Sequence, residues 1–382
     1  MRRRPRQKQS HGQSLVGRTF DVEVGPVAHG GHFVARHDGR VIFVRHALPG
    51  ERVTVRVTEG DEGSRFLRGD AVEVLEASAD RVAAPCPVAG PGLCGGCDFQ
   101  HVSLAAQREL KATVVREQLQ RLAKLDVPVT VEPVPGDDEG LRWRTRVQYA
   151  LTPDGRRGFR AHRSHRVVPV DDCLITRQDA RVEVEGDALD EGLVTETVVT
   201  SSGERAFDVA AHGFWQVHPG APRVLVETVL DQLRPRPGES CLDLYAGVGL
   251  FSGFLADAVG PTGSVHAVEG DRDACEHARA NLAAFPTATV TRGSVDRVLA
   301  ALDPAPVDLV VLDPPREGAK KPVVSAVVDR APRAVAYVAC DPAALARDVA
   351  LFAQAGYRLD ALRAFDLFPM THHVECVALL TR

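Results

Sequence analysis

An apolar run followed by two glycines, ESCLDLYAGVGLFS (residues 239–252), indicates a strand that turns sharply into a helix. Gly247 and Gly249 stand where a ligand-binding turn of this kind needs them. A dinucleotide fingerprint would place a third glycine at position 252, which is a serine. The pattern D-x-x-x-G-x-G, with Glu269 ending the next predicted strand, suits an adenosine-type ligand, because a carboxylate there can accept hydrogen bonds from both ribose hydroxyls. A nicotinamide cofactor and a turn that serves only packing stay open as alternatives.

Strand-like runs alternate with helical segments from residue 240 to the end of the chain. The runs are ESCLDLY, GSVHAVE, ATVT, VDLVVLD, RAVAYVA and VECVALL. Helical segments such as 274–285 and 342–356 separate them. This alternation predicts a doubly wound, mostly parallel sheet that is covered on both faces.

The amino-terminal part of the chain has a different pattern. Residues 16–78 contain short runs in which apolar and polar residues alternate, separated by Gly and Pro: FDVEV, GRVIFV, ERVTVRV and GDAVEVLE. They predict a small antiparallel barrel of about five strands. A helix is predicted over 104–125, and strands over 142–151 and 165–170.

Length and charge limit the classes of protein to consider. A chain of 382 residues predicts two or three domains. The net charge of −5 excludes a uniformly basic nucleic-acid binder, but the first 20 residues lack acids and a second basic cluster spans 142–166. Such local clusters can bind a polyanion. No run approaches the roughly 20 apolar residues of a membrane span. We expect a cytoplasmic protein without membrane association, with the basic start a mobile tail or, as an alternative, a transit peptide.

Cys340 lies in YVACDP (337–342), after a predicted strand and before a predicted helix. Ligands bind at such strand ends, and a helix N-terminus lowers the pKa of a thiol, so Cys340 is the predicted nucleophile. Glu375, in HVEC (373–376), is the predicted general base. The alternatives are a buried apolar cysteine and a solvated acid on the last strand.

The motif LDPPREG (312–318) narrows the chemistry. DPP after a strand occurs in nucleobase methyltransferases, and enzymes that methylate amino groups normally have an aromatic residue next, where this chain has Arg316. A thiolate that adds to carbon 6 of uracil makes carbon 5 nucleophilic enough to attack a methyl group, after which a base removes the carbon-5 proton. A thiol, an acid and a methyl donor therefore predict methylation of carbon 5. Amino methylation is the alternative.

DLYAGVGLFS, LDPPREG, YVACDPAALARD and HHVEC, together with FWQVHP (214–219), resemble the RNA uracil-5-methyltransferase family over nearly the whole chain. The resemblance implies an α/β class I (Rossmann-like) methyltransferase domain, an N-terminal OB-like β-barrel (TRAM) and a central α+β iron–sulfur domain. The expected boundaries are a basic flexible tail at 1–15, the TRAM barrel at 16–78, the central iron–sulfur and RNA-binding domain at 79–210 and the methyltransferase domain at 211–382.

The resemblance also implies roles for individual residues. S-adenosylmethionine is the expected methyl donor, with Cys340 the nucleophile and Glu375 the base. The residues expected to bind the donor are Gln216, Tyr245, Gly247, Gly249, Glu269, Ser294 and Asp313.

The chain departs from the family pattern at two places. Leu250 stands where the family often has Asn, and Ala339-Cys340-Asp341-Pro342 replaces the usual Ser-Cys-Asn-Pro. Asp341 would place a carboxylate beside the thiol, which disfavours the thiolate.

Four cysteines form a candidate metal site. They are Cys86, Cys94 and Cys97, in the spacing C-x7-C-G-G-C, and Cys173 in VDDCLI. Four thiolates suit an iron–sulfur cluster or a structural zinc, and unligated cysteines are the third possibility. The resemblance implies a [4Fe-4S] cluster with a structural role. The cysteines predicted to fill the core are Cys241, Cys275 and Cys376.

RNA is the expected partner, and no obligate protein partner is evident. OB-like barrels bind single strands through basic grooves and stacking aromatics, so Phe20, Phe33 and Phe43 are either stacking or core residues. The predicted RNA-binding arginines are Arg142, Arg144, Arg146 and Arg316. For the first three, period-2 alternation in RWRTRVQY gives one shared strand face, whose alternative role is plain solvation.

The predicted substrate is a uridine in structured RNA, with 23S ribosomal RNA preferred because tRNA-specific members of the family typically lack the barrel and the cluster. The alternatives are a tRNA uridine-5-methyltransferase and an RNA-binding protein with a degenerate site.

Overall fold

The structure, a computed structural model, describes residues 12–188, 190, 192–302 and 304–382. Residues 1–11 of the predicted basic tail lie outside the described residues. The chain forms two compact units. The first contains the described residues up to Leu110, with Tyr149–Leu174 and Pro369–His372; the second contains Lys111–Gln148, Ile175–Phe368 and His373–Arg382.

A closed barrel of five strands, in the order β1-β2-β3-β5-β4, begins the first unit. The strands are β1 Thr19–Ala28, β2 His32–His37, β3 Arg40–Arg45, β4 Arg52–Glu59 and β5 Phe66–Glu76. The prediction of a small barrel is confirmed, but antiparallel pairing throughout is wrong. Strands β3 and β5 pair in parallel, with Val41 opposite Phe66, because β4 lies between them in the chain and pairs with β1 and β5.

The cysteine-rich stretch, residues 84–99 and here called the cysteine loop, packs against a short antiparallel strand pair in the same unit. Strands β8 Arg157–Arg160 and β9 Val167–Pro169 form this pair, and the end of β7, Arg144–Leu151, adds to β8. Gly95 donates its N–H to the Arg160 carbonyl at 3.0 Å. A Cβ at Gly95 would lie 2.7 Å from the backbone nitrogen of His162, so the close approach requires glycine.

An eight-stranded sheet, ordered β15-β14-β13-β16-β17-β19-β18-β6, organises the second unit. Its strands are β6 Val131–Pro133, β13 Ser240–Leu244, β14 Ser264–Glu269, β15 Ala288–Arg292, β16 Leu309–Leu312, β17 Ala334–Ala339, β18 Arg358–Asp366 and β19 Glu375–Thr381. The predicted doubly wound sheet is confirmed: its first five strands are parallel, and β19 runs antiparallel to both of its neighbours. The carboxyl ends of the parallel strands consequently lie along one edge.

Helices cover both faces of this sheet, and each face has its own apolar core. The helices are α1 Leu104–Gln118, which continues as a π-helical turn Leu119–Ala123, α2 Ala221–Leu233, α3 Leu250–Val259, α4 Arg272–Asn281, α5 Val295–Ala301, α6 Lys320–Val328 and α7 Pro342–Gln354. The remaining strands are β10 Thr176–Val184 and the hairpin of β11 Leu193–Thr200 with β12 Gly203–Ala210. In the described ranges no helix is long and apolar enough to cross a membrane.

Candidate active site

The glycine loop joins β13 to α3 at the carboxyl edge of the sheet. Tyr245 has a φ of +66° and Gly249 a φ of +90°, both in the left-handed region. A Cβ at Gly249 would lie 3.4 Å from the Leu282 side chain, so this position is both strained and tight for other residues. The N–H groups of Tyr245 and Ala246 both donate to the Val268 carbonyl, which fixes the loop on β14.

Three carboxylates meet beside this loop. Asp243 is buried, its Oδ2 accepts a hydrogen bond from Ser252 Oγ at 2.6 Å, and its Oδ1 has no hydrogen-bond partner within the described chain. Burial raises the pKa of Asp243 to about 6. Burial, followed by the charges of Asp243 and Glu269, raises the pKa of Asp313 to about 7. Glu269 accepts the Gly247 N–H at 2.9 Å, which holds its carboxylate at the loop.

This acidic set suits a positively charged adenosine-type ligand. Buried carboxylates that repel one another become more stable as ions when a cation lies between them. An unpartnered buried oxygen on Asp243 and open space around the Cβ position of Gly247 leave room for polar ligand groups. These residues therefore fit S-adenosylmethionine.

The other predicted donor-binding residues lie at different places in the unit. Ser294 is the N-cap of α5, its hydroxyl hydrogen-bonds to Asp296, and the Asp296 charge in turn helps raise the pKa of Tyr245. Gln216 lines a cleft of about 880 Å³, whose walls come from β10, β11 and the start of α2. That cleft is lined by none of the three carboxylates, so the structure does not bring Gln216 together with them around one cavity.

Cys340 follows β17 directly, and Glu375 begins the neighbouring strand β19. Burial, followed by the charges of Glu375 and Asp313, raises the pKa of Cys340 to about 12, while the charge of Arg316 acts in the opposite direction. Four predicted residues are thus close enough to interact electrostatically. The prediction of a lowered thiol pKa is wrong, because burial and nearby carboxylates raise the pKa instead.

Glu375 is an acid enclosed by protein, only 5% exposed. Burial, followed by the charge of Asp313, raises the pKa of Glu375 well above its usual value. The prediction of a solvated acid, the alternative for this position, is therefore wrong. A carboxylate with a raised pKa is a stronger base once ionised, as general-base catalysis requires.

Both departures from the family pattern have structural roles. The Oδ1 atom of Asp341 accepts the Ala344 N–H at 2.8 Å and so caps α7. Its charge raises the pKa of Cys340, as predicted, but this is the smallest of the contributions. Leu250 is buried in the apolar core of the α3 face.

Sequence reasoning missed the residue that fixes the loop after β16. Asp348 on α7 accepts the Ala319 N–H at 2.7 Å and the Tyr337 hydroxyl at 2.6 Å. Gly318, with a φ of +81°, leaves room for this carboxylate, since a Cβ there would lie 2.6 Å from Asp348 Oδ2. An acid within the apolar pattern of α7 was the available signal. Arg316 stays exposed at the tip of the loop, with Nη2 3.4 Å from His373 Nε2.

The four candidate metal ligands lie together in the first unit. The Cys173 thiol raises the pKa of Cys86, of Cys94 and of Cys97, although burial is the largest cause for each. None of the four is joined in a disulfide bond. Within the described residues no group of three or more His, Cys, Asp or Glu side chains is placed to hold a metal ion as it stands. Cysteine thiolates are the ligands that iron–sulfur clusters use, so the four residues supply suitable donor atoms without being arranged as a metal site. The three cysteines predicted to fill the core are buried in the second unit: Cys241, Cys275 and Cys376.

The arginines at the start of β7 have internal partners. Arg146 pairs with Glu183 at 2.5 Å and donates to the His212 carbonyl at 2.6 Å. Arg144 donates to the Arg146 carbonyl at 2.9 Å. Arg142 precedes the strand, with a φ of +53°, and donates to the Thr176 carbonyl at 3.0 Å. These guanidinium groups therefore also have a structural role.

The barrel aromatics differ in exposure. Phe33 is fully buried and belongs to the core, whereas Phe20 and Phe43 are partly exposed. Phe43 lies under the guanidinium of Arg68, 5.4 Å from its ring centre. Of the three aromatics singled out in the sequence, Phe20 and Phe43 are thus the two with exposed surface.

A glycine loop after the central strand of a doubly wound sheet, with acids at the ends of the adjacent strands, defines a class I methyltransferase. Comparisons with known families agree. The TRAM domain matches residues 13–72, the Methyltransferase small domain matches 219–337, and tRNA (Uracil-5-)-methyltransferase matches 299–382.

Whole-length relatives identify the family. A protein of Streptomyces avermitilis named "Uncharacterized RNA methyltransferase" is 49% identical, over 96% of this chain and 98% of its own. A protein of Bifidobacterium longum, also named as an uncharacterized RNA methyltransferase, is 38% identical over 95% of this chain and 96% of its own. The crystal structure of Pyrococcus abyssi tRNA (uracil-54, C5)-methyltransferase with S-adenosyl-L-homocysteine has the same fold, with a TM-score of 0.70 at 22% identity, covering 94% of this chain and 99% of that one. The chain belongs to the RNA uracil-5-methyltransferase family and is an RNA methyltransferase.

Proposed function

We propose that the enzyme methylates carbon 5 of a uridine in structured RNA through a covalent bond between Cys340 and the uracil ring. The observation that carries the proposal is the electrostatic coupling of Cys340 with Glu375, Asp313 and Arg316 at the carboxyl edge of the sheet. A nucleophile, a base and a cation at one place, beside a loop suited to a methyl donor, are the parts that this reaction needs.

S-adenosylmethionine, when bound, supplies an electrophilic methyl group on a positively charged sulfur. Glu269 would accept hydrogen bonds from its ribose, and the carboxylates of Asp243 and Asp313 would offset its charge. Tyr245 and the loop glycines would shape the adenosine site, with Ser294 and Gln216 as further contacts. Because burial and mutual repulsion raise the pKa of both aspartates, a cation there restores their ionised forms.

The residues of the chain perform the steps on uracil. The thiol of Cys340 gives its proton to solvent, and the thiolate adds to carbon 6. The electron pair of the C5–C6 π bond then makes carbon 5 the nucleophile that takes the methyl group. Glu375 then accepts the carbon-5 proton, the C5–C6 double bond re-forms, and the C6–S bond breaks with its electrons returning to sulfur. Arg316 supports the thiolate, since its charge lowers the pKa of Cys340 against the carboxylates.

The RNA is expected to contact the barrel and the exposed end of the 312–318 loop. Phe20 and Phe43 offer partly exposed aromatic faces, and Arg316 offers an exposed cation. The arginines Arg142, Arg144 and Arg146 are further candidates for phosphate contacts on the flank of β7. The proposed substrate is 23S ribosomal RNA, with a tRNA uridine as the alternative.

We also propose that Cys86, Cys94, Cys97 and Cys173 hold a [4Fe-4S] cluster with a structural role. The support is the electrostatic interaction among these thiols, three of them in the 86–97 stretch and the fourth at position 173, all outside the regular helices and strands. Protein purified without oxygen should contain iron and inorganic sulfide, and Cys94→Ser should lose both. Zinc in the wild-type protein in place of iron would contradict this assignment.

Mapping 5-methyluridine in RNA from cells with and without the gene tests the function. The proposal predicts that one or more 5-methyluridines disappear from ribosomal RNA and return with the wild-type gene but not with Cys340→Ala. Loss of 5-methyluridine confined to tRNA would identify tRNA as the substrate and leave the proposed chemistry unchanged. Unchanged 5-methyluridine in every RNA fraction, with S-adenosylmethionine still bound by the purified protein, would favour an RNA-binding protein with an inactive site.

A further inference from the structure

The four residues Pro369–His372, here called the 369–372 segment, belong to the first unit although the residues on either side belong to the second. They end three residues before Glu375. Met370 is buried and has a φ of +67°, an unfavourable conformation for a residue with a side chain. A strained backbone of this kind persists only where the surroundings hold it.

The cysteine loop holds the segment through its backbone. The N–H groups of Asp98 and Phe99 both donate to the Met370 carbonyl, at 2.9 and 3.0 Å. Gln107, which is buried, accepts the Met370 N–H at 2.8 Å and donates to its sulfur at 3.3 Å. Both backbone polar groups of Met370 are therefore bonded within the first unit.

The side chain of Asp98 makes the strongest link. Its Oδ2 lies 2.5 Å from His372 Nδ1 and accepts the His372 N–H at 3.2 Å, and its Oδ1 pairs with Arg45 at 3.3 Å. Asp98 is 10% exposed and Arg45 6%, so water competes little for these bonds. From the barrel side, a Cβ at Gly31 would lie 2.7 Å from His372 Cβ, which leaves the histidine little freedom to move.

We propose that Asp98 is a positioning residue for Glu375, acting through the 369–372 segment. Asp98 follows Cys97 directly in the chain, and Glu375 lies three peptide bonds after His372. A change in the geometry of the cysteine loop would therefore change the position of the general base. This inference rests on the proposed function. Its consequence concerns the last chemical step alone, in which the C5–H bond breaks, the proton passes to the Glu375 carboxylate, and the C6–S bond to Cys340 breaks as the C5–C6 double bond forms.

Asp98→Asn in the full-length protein is the test. Asparagine keeps the volume but removes the charge that holds His372 and Arg45. A base displaced by a fraction of an ångström should slow proton abstraction by roughly 10- to 100-fold, while addition of Cys340 continues. The methylated enzyme–RNA adduct should therefore accumulate. His372→Ala, which leaves the cysteine loop untouched, should accumulate the same adduct, and Asp80→Asn, an exposed acid of the same unit, should not.

The probe is total RNA from cells that lack the gene, with radiolabelled S-adenosylmethionine, and the readout is label bound covalently to protein on denaturing gels beside label in free RNA. The same variants are then challenged with 5-fluorouridine RNA, on which adduct formation does not need the base. For Asp98→Asn and His372→Ala we expect a larger covalent fraction than for wild-type protein on normal RNA, and unchanged trapping on 5-fluorouridine RNA. The inference would be overturned by equal covalent fractions in wild-type and Asp98→Asn protein. It would also be overturned if Asp98→Asn slowed trapping on 5-fluorouridine RNA as much as release from normal RNA. If wild-type protein forms no adduct on 5-fluorouridine RNA, the proposed function itself fails.

Discussion

A buried ion pair on the second unit offers a quantitative test of the fold around the site. Lys111 Nζ lies 2.6 Å from Asp366 Oδ1 and 3.0 Å from the Phe368 carbonyl, with the lysine and aspartate side chains 0% and 1% exposed. Asp366 is the last residue of β18, the strand that pairs with β19 at Glu375. Lys111→Met keeps the packing of the stem but leaves a buried carboxylate without its cation.

The expected loss of unfolding free energy is large because nothing would compensate the buried charge of Asp366. Its Oδ2 already lacks a hydrogen-bond partner among the described residues, so no hydrogen bond at that atom would offset the loss of the lysine. Removing one member of a buried pair typically costs about 3–5 kcal/mol of unfolding free energy. Replacing both, in Lys111→Met/Asp366→Leu, should bring the loss to within about 1–2 kcal/mol, because no buried charge remains.

Tryptophan fluorescence during urea unfolding measures this directly, since both tryptophans, Trp143 and Trp215, lie in the second unit. Lys321→Met, an exposed lysine of the same unit, is the control and should change the free energy by less than about 0.5 kcal/mol. A loss below about 1 kcal/mol for Lys111→Met would refute the reasoning, as would a double variant no more stable than the single one.

Three predictions concern the carboxylates at the glycine loop. Because Asp313 has a pKa raised to about 7, the affinity for S-adenosylmethionine measured by calorimetry should rise about tenfold from pH 6 to pH 8 as this carboxylate ionises, and a pH-independent affinity would contradict the proposed role. The same raised pKa values, about 6 for Asp243 and about 7 for Asp313, mean that the folded protein without the donor holds these protons more tightly than the unfolded chain, so its stability should fall as pH rises through 6–7. Ser252→Ala removes the 2.6 Å hydrogen bond to buried Asp243 and should weaken donor binding at pH 7 by about 1–3 kcal/mol, whereas Ser325→Ala on α6 should not; equal affinities for all three proteins would count against this contact.

Most of the second unit could be predicted from sequence because its parallel strands are buried on both faces and read as apolar runs. Strand β18, RLDALRAFD, was missed, since its polar residues interrupt any such run. The sequence predicts a helix over 274–285, whereas α4 begins at Arg272, because Asp271 caps it by accepting the Ala274 N–H, and ends at Asn281. Local capping chemistry was the overlooked signal.

Part of the candidate site could likewise be predicted from the sequence, and part could not. The motifs locate Cys340, Glu375 and Asp313 because each follows or begins a recognisable strand. The direction of the Cys340 pKa shift could not be read from its own helix, since burial and the charges of Glu375 and Asp313 depend on strands distant in the chain. The contact of Asp98 with His372 joins residues 274 positions apart, and no local pattern marks it.

Trapping the enzyme on RNA that contains 5-fluorouridine is the most direct test of the sulfur–uracil bond. The fluorine at carbon 5 blocks the final proton removal, so wild-type protein incubated with S-adenosylmethionine should become covalently attached to the RNA, and peptide mass spectrometry should place the attachment on Cys340. Cys340→Ala should form no adduct, while Cys275→Ala, which removes a buried cysteine of α4, should form it normally. An adduct that persists in Cys340→Ala, or a wild-type protein that methylates uridine yet is never trapped, would contradict covalent catalysis by this thiol.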